Sequence, residues 1–266
     1  MPINNSREQR MDGIIHKIDT HGEALDIIVL ADLHIGDAQC DVKLVQSLVD
    51  KVRDTPNLYA ILAGDLMNNA ILGSRSDVYT ATMNPSDQLR YAVKLFEPIK
   101  NKILAVVPGN HEDRTSRTAG FDLTLAMCAE LGISKVYCPE TALVVVHTGQ
   151  NGHGHPMIYT FYVAHGTGGG RKPGGKINRL SDYSSIIDAD IYVVGHTHMP
   201  ASYKDSTFKI TGRGNAVLRE RLYVNTAAAL RYGGYGKRAA YTPTSTSYPI
   251  ISLSTTHGDH RAYCTL

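Results

Sequence analysis

Apolar positions along this 266-residue chain follow two spacings, and the change from one to the other lays out the fold. In the first half, short and almost wholly apolar runs alternate with stretches of helical spacing. Residues 26–31, 58–63 and 103–107 are such runs, which suit strands buried on both faces. Between them, Val42, Leu44, Val45, Leu48, Val49 and Val52 predict a helix over 41–54 that stops before Pro56. Residues 86–97 predict another, with Ser86 as N-cap and Pro98 beyond its end. A further helix over about 121–131 is closed by Gly132. Residues 1–25 form a polar lead-in for which a short helix is the expected structure.

The second half changes character. Residues 142–147, 157–164, 191–194, 207–210, 222–225 and 250–253 read as strands, and only 180–187 has helical spacing among them. Alternation first and mostly strands afterwards predict two sheets packed face to face with helices outside. There is no internal repeat and no Pro-, Gly- or Ser-rich linker of domain-splitting length, so residues 1–266 are expected to form one domain.

Charge changes this picture little. A formal net charge of +2 argues against a surface coated with basic residues, though not against a local patch. Cys40, Cys128, Cys138 and Cys264 show no Cys-x-x-Cys spacing and are too few for a disulfide scaffold, so thiols in a reducing compartment are expected. No stretch reaches the roughly 20 apolar residues of a membrane span, and the N-terminus lacks a signal-peptide core. The cytoplasm is the expected location, with no membrane partner.

The candidate chemistry sits where the strands end. In Val194-Gly195-His196-Thr197-His198 a strand stops, a glycine allows a turn, and two imidazoles follow one residue apart. Asp32 and His34 follow the first apolar run, Asp65 the second, Asn110 and His111 the third, and His165 the run 157–164. In open α/β sheets ligands bind beyond the carboxyl ends of strands, so these residues are placed to share one rim. Mixed imidazole and carboxylate donors suit transition metals. Seven ligand candidates exceed the needs of one ion, so two divalent ions are expected, with Asp65 best placed to bridge them. Manganese is the first choice and iron, zinc, cobalt or nickel the alternatives. Two ions about 3.5–4 Å apart clamp an in-line displacement at phosphorus. His147 also ends an apolar run and is the alternative to His165, which is preferred because Gly166 follows it and a short segment leads on to His196.

As a set, Asp32-x-His34, Gly64-Asp65, Gly109-Asn110-His111-Glu112, Ala164-His165-Gly166 and Gly195-His196-Thr197-His198 resemble the motif blocks of the calcineurin-like metallophosphoesterase superfamily, in order over residues 32 to 198. Some likeness extends to its recombination-repair-type nucleases. The resemblance implies an α/β fold, a four-layer αββα sandwich of two mixed sheets, with the chain after His198 completing the second sheet. It implies that Asp32, His34, Asp65 and His198 hold one ion, and Asp65, Asn110, His165 and His196 the other. His111 would be the catalytic residue, stabilising the transition state or protonating the leaving oxygen. The chain departs from the superfamily's protein phosphatases and repair nucleases three residues after Asp65. They carry Asp or His there, and this chain has Asn68 followed by Asn69. Asn68 is therefore a candidate for binding substrate phosphate or orienting His111.

Around this set, Glu112, Asp113, Arg114 and Arg117 are candidates for orienting the catalytic histidine, with Glu112 also a candidate substrate contact. The loop 166–176 is glycine-rich and carries Arg171, Lys172 and Lys176, which would make a phosphate-facing lip for an extended polyanion. Arg213, Arg219, Arg221 and Arg231 would extend that basic face. A phosphodiesterase acting on single-stranded nucleic acid or a nucleotide through metal-activated water is the leading expectation, in a bacterial or phage protein. A phosphomonoesterase or phosphoprotein phosphatase with the same centre is the alternative. A scaffold with a degraded centre is opposed by the complete ligand set.

Overall fold

The structure is a computed structural model that describes residues 11–74, 76–149, 154–212, 214–256 and 259–266. The start of the lead-in and Arg213 lie outside the described residues. The first half runs β1 (Ile14–Lys17), β2 (Leu25–Leu30), α1 (Val42–Asp54), β3 (Leu58–Ala63), α2 (Pro85–Phe96), β4 (Ile103–Val107), α3 (Asp113–Ala119) and α4 (Leu123–Glu130). The second half runs β5 (Thr141–Thr148), β6 (Met157–Ala164), α5 (Pro173–Asp182), β7 (Ile191–Val194), β8 (Ala201–Ile210), β9 (Ala216–Asn225), α6 (Gly234–Arg238), β10 (Ile250–Leu253) and β11 (Ala262–Thr265).

Two mixed sheets result. The five-stranded sheet has the order β11-β10-β2-β3-β4 and the six-stranded sheet β1-β5-β6-β7-β9-β8. Within the first, β2, β3 and β4 are parallel. Within the second, β6, β7 and β9 are parallel. Ile27, Val29, Ile61 and Val107 of one sheet meet Val144, Phe161, Val163 and Val193 of the other in a dry inter-sheet core. The outer face of the five-stranded sheet packs under Val45, Val49 and Val52 of α1, Phe96 of α2 and Met127 of α4. On the far side, Leu180 of α5 packs against Tyr162, Tyr192 and Tyr223. The order is therefore helix, sheet, sheet, helix, as expected. The central strands are almost wholly apolar because both of their faces are covered.

The structure corrects several details. The lead-in supplies no helix over its described residues. Ile14 and His16 alternate inward with Ile15 and Lys17, and the segment pairs in parallel with β5. The N-cap of α2 is Asn84 rather than Ser86. Its side chain accepts from the Asp87 N–H, and Pro85 occupies the first turn, where no donor is needed. Helix α3 buries no residue, so it carries no apolar periodicity to read. Helix α5 begins at Pro173, inside the glycine-rich loop. The chain after His198 is divided between the sheets. β8 and β9 complete the six-stranded sheet, whereas β10 runs antiparallel to β2 and β11 to β10. Among the described residues no helix is long and apolar enough to cross a membrane.

Tyr248, just before β10, is 7% exposed and donates its hydroxyl to the Ala31 carbonyl at 2.9 Å. That bond pins the returning chain beneath the turn that carries Asp32. Tyr248→Phe leaves a buried carbonyl unpaired and should cost about 1–3 kcal/mol of stability, read from the denaturant midpoint at unchanged slope.

Candidate metal centre

Every candidate ligand stands just past the carboxyl end of a strand. Asp32 and His34 follow β2, Asp65 follows β3, Asn110 follows β4, His165 follows β6, and His196 and His198 follow β7. The parallel strands of both sheets end at the same rim, so the two sheets supply one site between them. The chain must turn sharply there to present its side chains. Asp32, His34, Asp65, His196 and His198 all have left-handed backbone, with φ of 53°, 49°, 51°, 68° and 54°. Asp and His tolerate this region better than most residues, yet each instance still costs on the order of 1 kcal/mol.

Hydrogen bonds hold these turns. The Asp32 N–H donates to the Gly64 carbonyl at 3.0 Å, and the His34 N–H to the Asp65 carbonyl at 3.0 Å. Asp32 Oδ2 accepts from the His196 N–H at 2.9 Å, which ties one sheet's rim to the other. Asp65 Oδ1 accepts from the His111 N–H at 2.9 Å. Glu112, 1% exposed, spreads its carboxylate across three backbone donors: Asp65 at 3.0 Å, Met67 at 2.8 Å and Gly109 at 2.8 Å. The Asp65 and Gly109 turns lie so close that a Cβ on Gly109 would collide with the Asp65 carboxylate and amide nitrogen.

The donor atoms fall into two groups linked by a third. One atom each from Asp32, His34 and His198 lies within 4.8 Å of the others, the same holds for Asp65, His165 and His196, and His34, Asp65 and His111 form the group that joins them. In the first group His34 Nε2 and His198 Nε2 are 3.1 Å apart, and His198 Nε2 is 3.2 Å from Asp32 Oδ1. In the second, His165 Nε2 is 3.2 Å from Asp65 Oδ2, 3.3 Å from His196 Nδ1 and 3.3 Å from Asn110 Oδ1. Asp32 Oδ1 is fully buried and accepts no hydrogen bond among the described residues, its near neighbour being His198 Nε2 at 3.2 Å. A buried carboxylate oxygen without a donor is costly unless a cation meets it. The residues present therefore fit a divalent metal.

Electrostatics agree. Burial alone would raise the Asp65 pKa, but the surrounding His165, His111 and His34 hold it well below the usual carboxylate range. Burial opposes charge on His165, yet Asp65 outweighs it and pushes the ring up to about 10. Burial, with His111 and His198 nearby, holds His34 well below the imidazole range, and burial with His165 lowers His196. Neutral imidazole is the form that binds a metal. His165 keeps a proton where a metal would displace it.

The other expected site residues are placed as follows. The His111 ring stacks edge-on to His34 with centroids 4.5 Å apart, and its Nε2 is 3.7 Å from Asp65 Oδ2. Its Nδ1 is 2.8 Å from the Asn68 carbonyl, so Asn68 orients His111 through its backbone. Glu112 is corrected as a substrate contact: it is buried and bound to backbone amides. Lys176 is corrected as a lip residue. It lies in the first turn of α5 and donates to the Thr197 carbonyl at 2.8 Å, bracing the His196–His198 turn. Arg171 and Lys172 are exposed in the loop after His165. The second basic face does not form among its described members. Arg219 pairs with Asp188 and Asp190, Arg221 with Asp205, and Arg231 with Asp41. His147 lies on β5 between Lys17 and Ile158, outside both donor groups. Arg117 pairs with Asp113 along α3.

Sequence reasoning missed Thr226, whose hydroxyl is 3.3 Å from Asp32 Oδ2, and Asn225, which bonds Thr197 Oγ1 at 2.6 Å. Both sit at the end of an apolar run, the same signal that marks the ligands. It also missed Gln88, buried in α2, which accepts from the Asn69 N–H at 2.8 Å. No local pattern distinguishes it from a surface glutamine.

The sequence model of the calcineurin-like phosphoesterase family matches residues 25–200. No curated protein matches the chain. Among solved structures, a predicted phosphoesterase from Streptococcus pneumoniae is similar at 17% identity over 91% of this chain and 99% of its own, with a TM-score of 0.39. The zinc complex of Vps29 from Entamoeba histolytica is similar at 13% identity over 91% and 98%, also at 0.39. Vps29 from Chaetomium thermophilum follows at 13% over 91% and 95%, with 0.39.

Two measurements test the electrostatics. His165 is raised above its unfolded value of about 6.5, so its proton stabilises the metal-free fold below that pH. This contribution should fade as pH climbs toward about 10. Metal affinity should move the opposite way, rising up to tenfold per pH unit over the same window, as followed by chelator competition. Separately, Glu112→Gln turns an N–H donor toward backbone donors. It should cost about 1–3 kcal/mol in denaturant unfolding and weaken metal retention.

Proposed function

The chain belongs to the calcineurin-like phosphoesterase family, a class of phosphoester hydrolases, and from that premise we propose a dinuclear metal phosphodiesterase acting on nucleic acid or a nucleotide. The observation that carries this reading is the fully buried Asp32 Oδ1, which accepts no hydrogen bond among the described residues, beside the converging nitrogens of His34 and His198, with a second donor group built on Asp65. Asp32, His34, Asp65 and His198 would hold one divalent ion, and Asp65, Asn110, His165 and His196 the other. Manganese is the metal we propose first, since the donors are imidazole and carboxylate without thiolate. When bound, the ions supply Lewis acidity toward the phosphoryl oxygens and make water nucleophilic at neutral pH.

His111 carries out the proton transfer. Its Nδ1 is committed to the Asn68 carbonyl, which leaves Nε2 turned toward the site. Burial, opposed by Asp65 and assisted by Arg114, lowers its pKa, so the protonated ring is a stronger acid toward a leaving oxygen. The diester preference rests on the openness of the rim. Asn110 is exposed and His111, His196 and His198 are half-buried, so a second ester substituent has room. Arg171 and Lys172, exposed beside the His165 turn, suit a polyanionic chain.

His111→Ala should cut kcat about 10²–10⁴-fold on bis-p-nitrophenyl phosphate with both ions retained by metal analysis. Asp65→Asn should instead lose both ions. Metal loss in His111→Ala, or a strong preference for mono-p-nitrophenyl phosphate over the diester, overturns the assignment.

A further inference from the structure

A cavity of about 300 Å³ opens at the opposite end of the strands from the metal centre. It lies in the seam where β1, the edge of the six-stranded sheet, passes β4, the edge of the five-stranded sheet. His16 spans the seam, with its Nε2 2.8 Å from the Leu104 carbonyl. Lys17, Lys100 and Lys135 line the opening with His16, Tyr59 and Asn101, and no carboxylate is among the described lining residues. Lys100 pairs with Glu97, which lies outside the cavity wall, at 2.6 Å.

In a chain of net charge +2, the Lys17 and Lys135 ammonium groups, which have no ion pair among the described residues, make a local positive potential around one concavity; Lys100 shares its charge with Glu97, and burial holds His16 below the usual imidazole range. A concave wall focuses that potential on anions. The lysines come from three separate segments: β1, the turn after α2, and the turn after α4. Cations arranged around an opening engage a ligand whose charge is spread over several oxygens better than one with a single charge. The floor is apolar, formed by the buried Ile103, Ile133 and Val136, and Tyr59 offers a ring face. The volume is at the lower end of small-ligand sites.

We propose that this cavity is a second ligand site, which takes a compact oligophosphate, either free pyrophosphate or the phosphate end of a nucleotide. It stands independently of the metal centre and of the reaction proposed there.

The chain contains no Trp, so Tyr59→Trp places a single indole in the cavity. Full-length protein is stripped with chelator so that the metal centre does not compete. It is then titrated with pyrophosphate and with ADP at constant ionic strength. A saturable change in indole emission with pyrophosphate assigns the free oligophosphate. A saturable change with ADP alone assigns the nucleotide. Either outcome supports the site. Lys17→Gln with Lys135→Gln in the same background should raise Kd roughly tenfold or more, with an unchanged melting curve. The phosphorus NMR line width of pyrophosphate with unsubstituted protein gives the same reading should the indole disturb folding. The proposal is overturned by no saturable response to either ligand, by equal Kd with and without the two lysines, or by the same response to sodium chloride.

Discussion

The site depends on keeping one buried carboxylate ionised. Asp65 is 1% exposed, and burial of a bare carboxylate is among the costliest events in folding. The chain offsets it with a backbone donor from His111, with the charged ring of His165 at 3.2 Å, and with the imidazoles of His34 and His111 nearby. A second buried carboxylate, Glu112, clamps the Asp65 turn through three amide donors. Two acids packed so closely cannot both stay fully ionised at low cost. Burial and Asp65 push Glu112 up to about 7. Such an arrangement favours a cation in the site and disfavours an empty one.

The same constraint accounts for the strained turns. Five of the candidate ligand residues adopt left-handed backbone, and glycine, the usual residue there, has no side chain to coordinate. Asp and His are the compromise, since they accept positive φ and supply donor atoms. The strain is tolerated because each turn is tied on both sides. The Asp32 amide bonds Gly64, its carbonyl accepts from Ala229, and its side chain holds the His196 amide. Ala229 and Thr226 come from the chain after β9, so the first sheet's turn is locked by segments far away in sequence. Rigidity at the rim is thus a property of the packed pair of sheets.

This division explains what the sequence discloses. The buried strands are legible because a strand covered on both faces has to be almost wholly apolar, and 26–31, 58–63, 103–107 and 191–194 are, with Asp26 at the start of the first the one charged residue among them. The ligands are legible because polar residues of metal-binding type abruptly follow those runs. Where an element is amphipathic weakly or not at all, the reading fails. β1 alternates within a polar lead-in, α3 buries nothing, and α5 starts on Pro173-Gly174-Gly175. Partner choice at long range also escapes. Nothing local in Ile250–Leu253 says that it joins β2 rather than β9. The basic cluster misled for a related reason: charge counts in sequence ignore cross-strand acids, and Arg219 and Arg221 spend their charge on Asp190 and Asp205.

The candidate metal centre is also asymmetric in depth. Asp32, His34, Asp65 and His165 are buried, whereas Asn110 is exposed and His196 and His198 are half-buried. Each proposed ion therefore has an inner wall of buried donors and an outer wall of accessible ones. The inner walls are pre-organised by backbone bonds that survive without metal. His196 and His198 flank Thr197, which Asn225 and Lys176 brace from behind. Asn225 and Lys176 therefore hold the accessible half of the site as Glu112 holds the buried half: in both, groups that would touch no ion fix the turns that carry the candidate donors.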